Sequence, residues 1–214
     1  MTTTSRSVEL FGVPGAGKST LYAHLANRLG GIDDGWELTP KTGVASLVRL
    51  SPSQVAVAFA RGMAADPRAA ASRAGAQLTS SVARQAVAIA AARRCCVFHE
   101  GAVNAAWRVQ FESNLALPVR WLRAMLPASD LVVVLDVDAA TARERIRSKG
   151  RQGPINRRLA EAPLDSATWA GAFAAYRSIR EAIGQGDGVF VVENAGAVSE
   201  AADAVAERIA AQLA

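Results

Sequence analysis

"VELFGVPGAGKSTLYAHLANRL" (residues 8–29) joins a short apolar run to an amphipathic one through a glycine-rich segment. The run at 8–11 has the character of a short buried strand, and Gly12 stops it. Leu21, Leu25 and Leu29 recur every fourth residue, so a helix is expected from about 17 to 29. Between strand and helix, the spacing of glycines and a single lysine poses a choice between an ordinary turn and a loop closed around an anion.

The segment Gly12, Val13, Pro14, Gly15, Ala16, Gly17, Lys18, Ser19 fits G-x-x-x-x-G-K-[ST] at every defined position, in the strand–loop–helix context that the motif requires. Glycines let backbone N–H groups turn inward with no Cβ in the way, and the helix start adds the positive end of a dipole. On this pattern Lys18 is expected to reach the β- and γ-phosphates of a nucleoside triphosphate, Ser19 to place its hydroxyl on Mg²⁺, and Thr20 to bond the α-phosphate. The turn-only alternative needs a lysine here by chance. The chain has three lysines, Lys18, Lys41 and Lys149, among 24 basic residues, so a lysine marks a place where arginine would not serve.

Half of the 214 residues are apolar, enough for one sizeable core, and residues 1–214 are expected to form one domain. The arginines are scattered, with no basic patch interleaved with aromatics, which argues against a nucleic-acid partner despite a formal charge of +5. No stretch has the apolar character of a signal peptide or approaches the ~20 residues of a membrane span. The expectation is a soluble, cytoplasmic protein. Cys95 and Cys96 are adjacent in an apolar run and read as packing thiols.

Further strands are expected at 36–38, 95–98, 131–137 and 188–192, the run "LVVVLDV" being continuous enough to be buried on both faces. Helical pattern fills most of 44–94, with starts at Ser51-Pro52 and Asp66-Pro67, and returns around Trp107, after Asp138, from Trp169 to Ile183 and from Val198 to Ile209. Alternating strands and helices argue for an α/β fold with a parallel sheet, whose ligands sit beyond the carboxyl ends of its strands. That rule gathers the glycine-rich loop, Glu100, Asp136, Asp138, Glu193 and Asn194 on one rim.

"GVPGAGKST", "VFHEG", "LPASDLVVVLDVDAATARERIRSKGR" and "AFAAYRSIREAI" with "VFVVEN" together resemble the P-loop nucleoside and nucleotide kinases, the group of thymidylate kinase and the deoxynucleoside kinases. The resemblance runs from about Val8 to the C-terminus and is thin over 30–94, where such kinases hold their substrate-specific parts. It implies a three-layer sandwich with a five-stranded parallel sheet, helices on both faces and a short arginine-bearing lid at about 147–164, with 44–94 on the substrate side. It also implies transfer of the γ-phosphoryl group of ATP, with Mg²⁺, to a small-molecule acceptor; a homodimer is compatible with it.

In that resemblance Glu100 stands where the family carries an acidic residue, to accept the acceptor's proton or to hold a magnesium-bound water; the other reading is a carboxylate capping the next turn. His99 is a structural neighbour in this reading, and Asp138 a helix cap rather than a metal ligand. Arg143, Arg147 and Arg151 recur every fourth residue, with Gly150, Gly153 and Pro154 as hinge residues. Arg147 and Arg151 match the lid arginines best, the alternative being a solvated helix face. "HEGAVNAAW" carries neither the Asp-Arg of thymidylate kinases nor the Glu-Arg-Ser of deoxynucleoside kinases, which leaves the acceptor open, and Arg84, Trp107 and Arg108 are candidates to bind it. A P-loop NTPase that hydrolyses nucleotide as a switch is the alternative function, although Asp-x-x-Gly and Asn-Lys-x-Asp find no fitting place.

Overall fold

Short apolar runs become parallel strands in the computed structural model, which describes residues 7–29, 36–38, 52–91, 95–126, 129–150, 153–185, 188–193 and 198–213. The strands are β1 (Ser7–Phe11), β2 (Trp36–Leu38), β3 (Cys95–Phe98), β4 (Leu131–Asp136) and β5 (Val189–Glu193). The helices are α1 (Lys18–Leu29), α2 (Pro52–Ala65), α3 (Pro67–Ala71), α4 (Arg73–Ala91), α5 (Ala102–Ser113), α6 (Val119–Met125), α7 (Ala139–Ser148), α8 (Pro154–Glu161), α9 (Ala167–Ile183) and α10 (Val198–Leu213). The expected cap at Ser51, the start of the 44–94 helical region, Arg151 and Asn194 lie outside the described residues.

β3, β1, β4 and β5 form a four-stranded parallel sheet, and the three-residue β2 extends it beside β3, in the order β2-β3-β1-β4-β5. Passing from β1 to β2 moves one way across the sheet, and every later step moves the other way. Right-handed crossovers therefore place α1 on one face and the helices between β2 and β5 on the opposite face. The packing agrees: α1 lies against α10, while α4, α5, α6 and α9 pack among themselves.

β4 reads as an unbroken apolar run over 131–135 because both its faces are covered, whereas β1 carries Glu9 within its apolar run. Residues 131–135 are buried along their whole length, whereas Val191 on the edge strand β5 is exposed. Trp107 and Trp121 bury their rings and still satisfy their indole N–H groups, by donating to Ala172 O at 3.0 Å and to Gly62 O at 3.1 Å. Each bond links two helices, and truncating such a ring to alanine typically costs about 3–5 kcal/mol. Asp66 caps α3 by accepting from the Arg68 and Ala69 amides, both at 3.1 Å. Cys96 is buried, as a packing thiol should be. Among the described residues no helix is long and apolar enough to cross a membrane.

Candidate active site

Parallel pairing puts the carboxyl ends of the strands on one edge, and the loop after β1 opens there. Ala16 N–H donates to Val13 O at 3.0 Å, and Leu21 N–H to Gly17 O at 2.9 Å, so a tight turn runs straight into α1. Gly15 and Gly17 hold φ of 83° and 97°, a region that strains any residue with a side chain. Space forbids a Cβ as well. One on Gly12 would lie 2.8 Å from Leu135 O, and one on Gly15 would run into the carbonyl of Ala142 near the start of α7.

The half-buried Lys18 curls back over this loop, donating from Nζ to Gly12 O at 2.5 Å and to Val13 O at 3.3 Å. Burial lowers its ammonium to about 8, against the pull of the Glu100 carboxylate, which favours the charged form. Ser19 Oγ lies 2.9 Å from His99 Nε2, and the buried His99 ring meets Tyr22 edge-on at 5.5 Å. In the tautomer with a bare Nε2, Ser19 donates its proton to His99 and keeps its lone pairs for another partner. Lys149 Nζ donates to Thr20 Oγ1 at 3.1 Å, so two of the three lysines meet at this loop.

A cleft of about 950 Å³ begins at 14–19 and passes His99, Glu100, Gly101 and Asn104. Its far wall is one face of α4, with Arg73, Gln77, Ser80, Ser81 and Arg84, opposite Trp107, Arg108 and Glu112 of α5. The roof comes from Arg145, Ile146 and Lys149 of α7 and the start of α8. Glu100 is exposed on this cleft, beyond the end of β3. Arg108 pairs with Glu112 at 3.1 Å on the outer rim, and Trp107 stacks on Phe111 with ring centroids 5.2 Å apart, so it serves the core while touching the cleft.

The arginine series of α7 is turned differently from its expected placement. Arg147 is exposed, donates from Nε to Ala160 O at 3.0 Å, and is not part of the cleft wall; nor is the half-buried Arg143. At about 100° per residue the helix has one face toward the loop, and Arg145 and Lys149, four apart, occupy it. Lysine scarcity was the sequence signal that could have found Lys149. Gly150 and Gly153, just beyond α7, hold φ of 78° and 79°, and α8 is pinned by Arg158 over the Phe111 ring at 4.9 Å. Asp138 is the N-cap of α7, accepting from Thr141 N–H at 2.9 Å and from its hydroxyl at 2.7 Å, and Asp136 pairs with Arg180 at 3.2 Å.

Glu9 was not singled out by the sequence reading, although a carboxylate inside an apolar strand was the available signal. It is fully buried on β1 and accepts from the Val103 and Asn104 amides at 2.7 and 3.2 Å and from Gln85 Nε2 at 3.1 Å. Burial pushes it up to about 7, and these donors partly oppose that rise.

The glycine-rich loop, Lys18, Lys149 and Glu100 thus line one cleft. A family model described as an AAA domain matches residues 8–170 of the chain. No curated protein matches it. Among solved structures, a deoxyadenosine kinase from M. mycoides with products dCMP and a flexible dCDP bound is 18% identical, with a TM-score of 0.58, covering 96% of this chain and 99% of that one. The same enzyme with bound dATP is 16% identical, with a TM-score of 0.57, covering 95% and 99%. At such identities the likeness is one of fold.

Proposed function

Because the chain belongs to the AAA domain family, with the phosphate-binding loop in place, we propose that it is an ATP-dependent kinase of a small molecule. The observation that supports the reading is that Lys18 and Glu100 line one cleft, near enough for the carboxylate to favour the charged lysine, and that residues of α4 line the same cleft. Similarity in fold to a deoxyadenosine kinase supports it. In this reading residues 1–214 act as one domain, with 44–94 on the acceptor side and about 147–164 as the lid.

The residues divide the work in the following way. The loop 12–20 wraps the phosphates, and Lys18 leaves the Gly12 and Val13 carbonyls to meet the β- and γ-phosphates. The acceptor's hydroxyl oxygen bonds to the γ-phosphorus, its proton passes to Glu100, and the bond from phosphorus to the bridging oxygen breaks, leaving ADP. Arg145 and Lys149 lie where they can neutralise charge on the transferring group. Arg147 and Arg151 are assigned to closing the lid about Gly150 and Gly153, Arg147 through its hold on α8.

The donor set fits Mg²⁺. Ser19 offers oxygen lone pairs, and no cluster of three His, Cys, Asp or Glu among the described residues forms a cage, as suits an ion that takes most of its ligands from phosphate and water. Bound there, it would neutralise phosphate charge, and Glu100, which lines the same cleft as Ser19, could orient one of its waters.

Turnover of MgATP is measured with water alone and with a panel of nucleosides, nucleotides, sugars and antibiotics, deoxynucleosides first. One class of acceptor should accelerate ADP formation at least tenfold, and Lys18→Ala should lower that rate by roughly a hundredfold or more. Hydrolysis equally fast with and without every acceptor would favour the switch NTPase instead.

A further inference from the structure

Glu9 has no part in the transfer just described, yet it is the one fully buried carboxylate among the described residues. Its partners explain where it acts. α5 begins one residue after Gly101, and Gly101, its N-cap, has no side chain with which to cap it. The opening amides are taken from outside the helix. Ala102 N–H donates to Gln85 Oε1, and Val103 and Asn104 N–H donate to Glu9 Oε1. Gln85 Nε2 closes the frame by donating to Glu9 Oε2 at 3.1 Å and to Ser129 Oγ at 3.3 Å. The frame is tight: a Cβ on Gly101 would lie 2.5 Å from Glu9 Cδ and 2.7 Å from Gln85 Oε1.

Glu100 is the residue immediately before this turn. A carboxylate so close to a helix start is drawn to its free amides and its dipole. Here those amides are already filled, by side chains from β1 and α4. We propose that Glu9 and Gln85 are positioning residues for Glu100: by occupying the amides that open α5 they fix the Gly101 turn and leave the Glu100 carboxylate to the cleft. The proposal rests on the assignment of Glu100 as the base that accepts the acceptor's proton.

The test uses ATP hydrolysis with water as the probe acceptor, together with equilibrium binding of MgADP. Glu9→Ala and Gln85→Ala should each lower kcat by roughly tenfold, since a misplaced catalytic group is costly, while the Kd for MgADP stays within about twofold. Glu9→Gln, which keeps an oxygen for the Val103 and Asn104 amides, should recover most of the rate. In a Glu100→Ala background neither alanine substitution should lower kcat further, because both act through the missing carboxylate. Losses that multiply with that of Glu100→Ala would mark a general structural role and overturn the proposal. A Glu100→Ala rate equal to that of the unaltered protein would remove Glu100 as the base, and the positioning role with it; that outcome is seen without any Glu9 variant. Should Glu9→Ala fail to fold, Gln85→Ala and Glu9→Gln carry the same comparison.

Discussion

Glu9, fully buried, and the half-buried Lys18 carry most of the residue-scale chemistry, and both are moved by burial. Glu9 rises from 4.5 to about 7. A carboxyl group whose folded value lies above its unfolded one favours the fold below pH 4.5, and that contribution is lost as pH climbs through 7. The span corresponds to about 3 kcal/mol, at about 1.4 kcal/mol per pH unit. Glu9→Gln does not titrate, so its Tm relative to the unaltered protein should rise between pH 4.5 and 7.5 by roughly 5–10 °C. Thermal unfolding at several pH values measures this, and a constant difference would show that Glu9 does not titrate in the fold. The same residue shows where sequence reading ends. Its partners Gln85, Val103 and Asn104 lie 76, 94 and 95 positions away, so nothing local in "VELF" announces what the carboxylate holds.

At the scale of elements, α7 is where sequence and structure part. Its periodicity gives sets of residues four apart, 143/147/151 and 145/149, but periodicity cannot say which set meets the loop. Docking decides that, and Ala142, packed against Gly15, together with Ile146 sets the rotation of the helix. Lys149→Ala and Arg145→Ala should each lower kcat by about tenfold to a hundredfold, whereas Arg147→Ala should cost less in rate and show in Tm, through the lost bond to Ala160. A larger kinetic loss for Arg147 than for Lys149 would reverse the assignment of the lid cations. The glycine-rich loop, by contrast, was legible in full, because its spacing, positive φ and following helix are local to about ten residues.

For the molecule as a whole, most of the sheet was readable because β1, β3, β4 and β5 are largely apolar runs closed by a glycine, a histidine or an acidic residue. Its order is not written in composition, and crossover handedness then fixes which face each connecting helix covers. The part of the cleft lined by α4 was the illegible part, since α4 offers a mixed face of arginine, glutamine and serine with no local motif. Nucleotide should bind the folded chain alone, so MgATP at about a hundredfold over its Kd should add about 2.7 kcal/mol and raise Tm by roughly 5–10 °C, an effect that Lys18→Ala removes.

The scarcity of lysine gives the crowded loop a further use. An ammonium held at about 8 is half neutral amine at that pH, and neutral amines are the ones that acylate. With three lysines in the chain, an amine-reactive ester at pH 8 should modify Lys18, read out by peptide mass spectrometry. Nucleotide should suppress the labelling of Lys18, so the protein reports its own occupancy without an attached dye or an engineered tag.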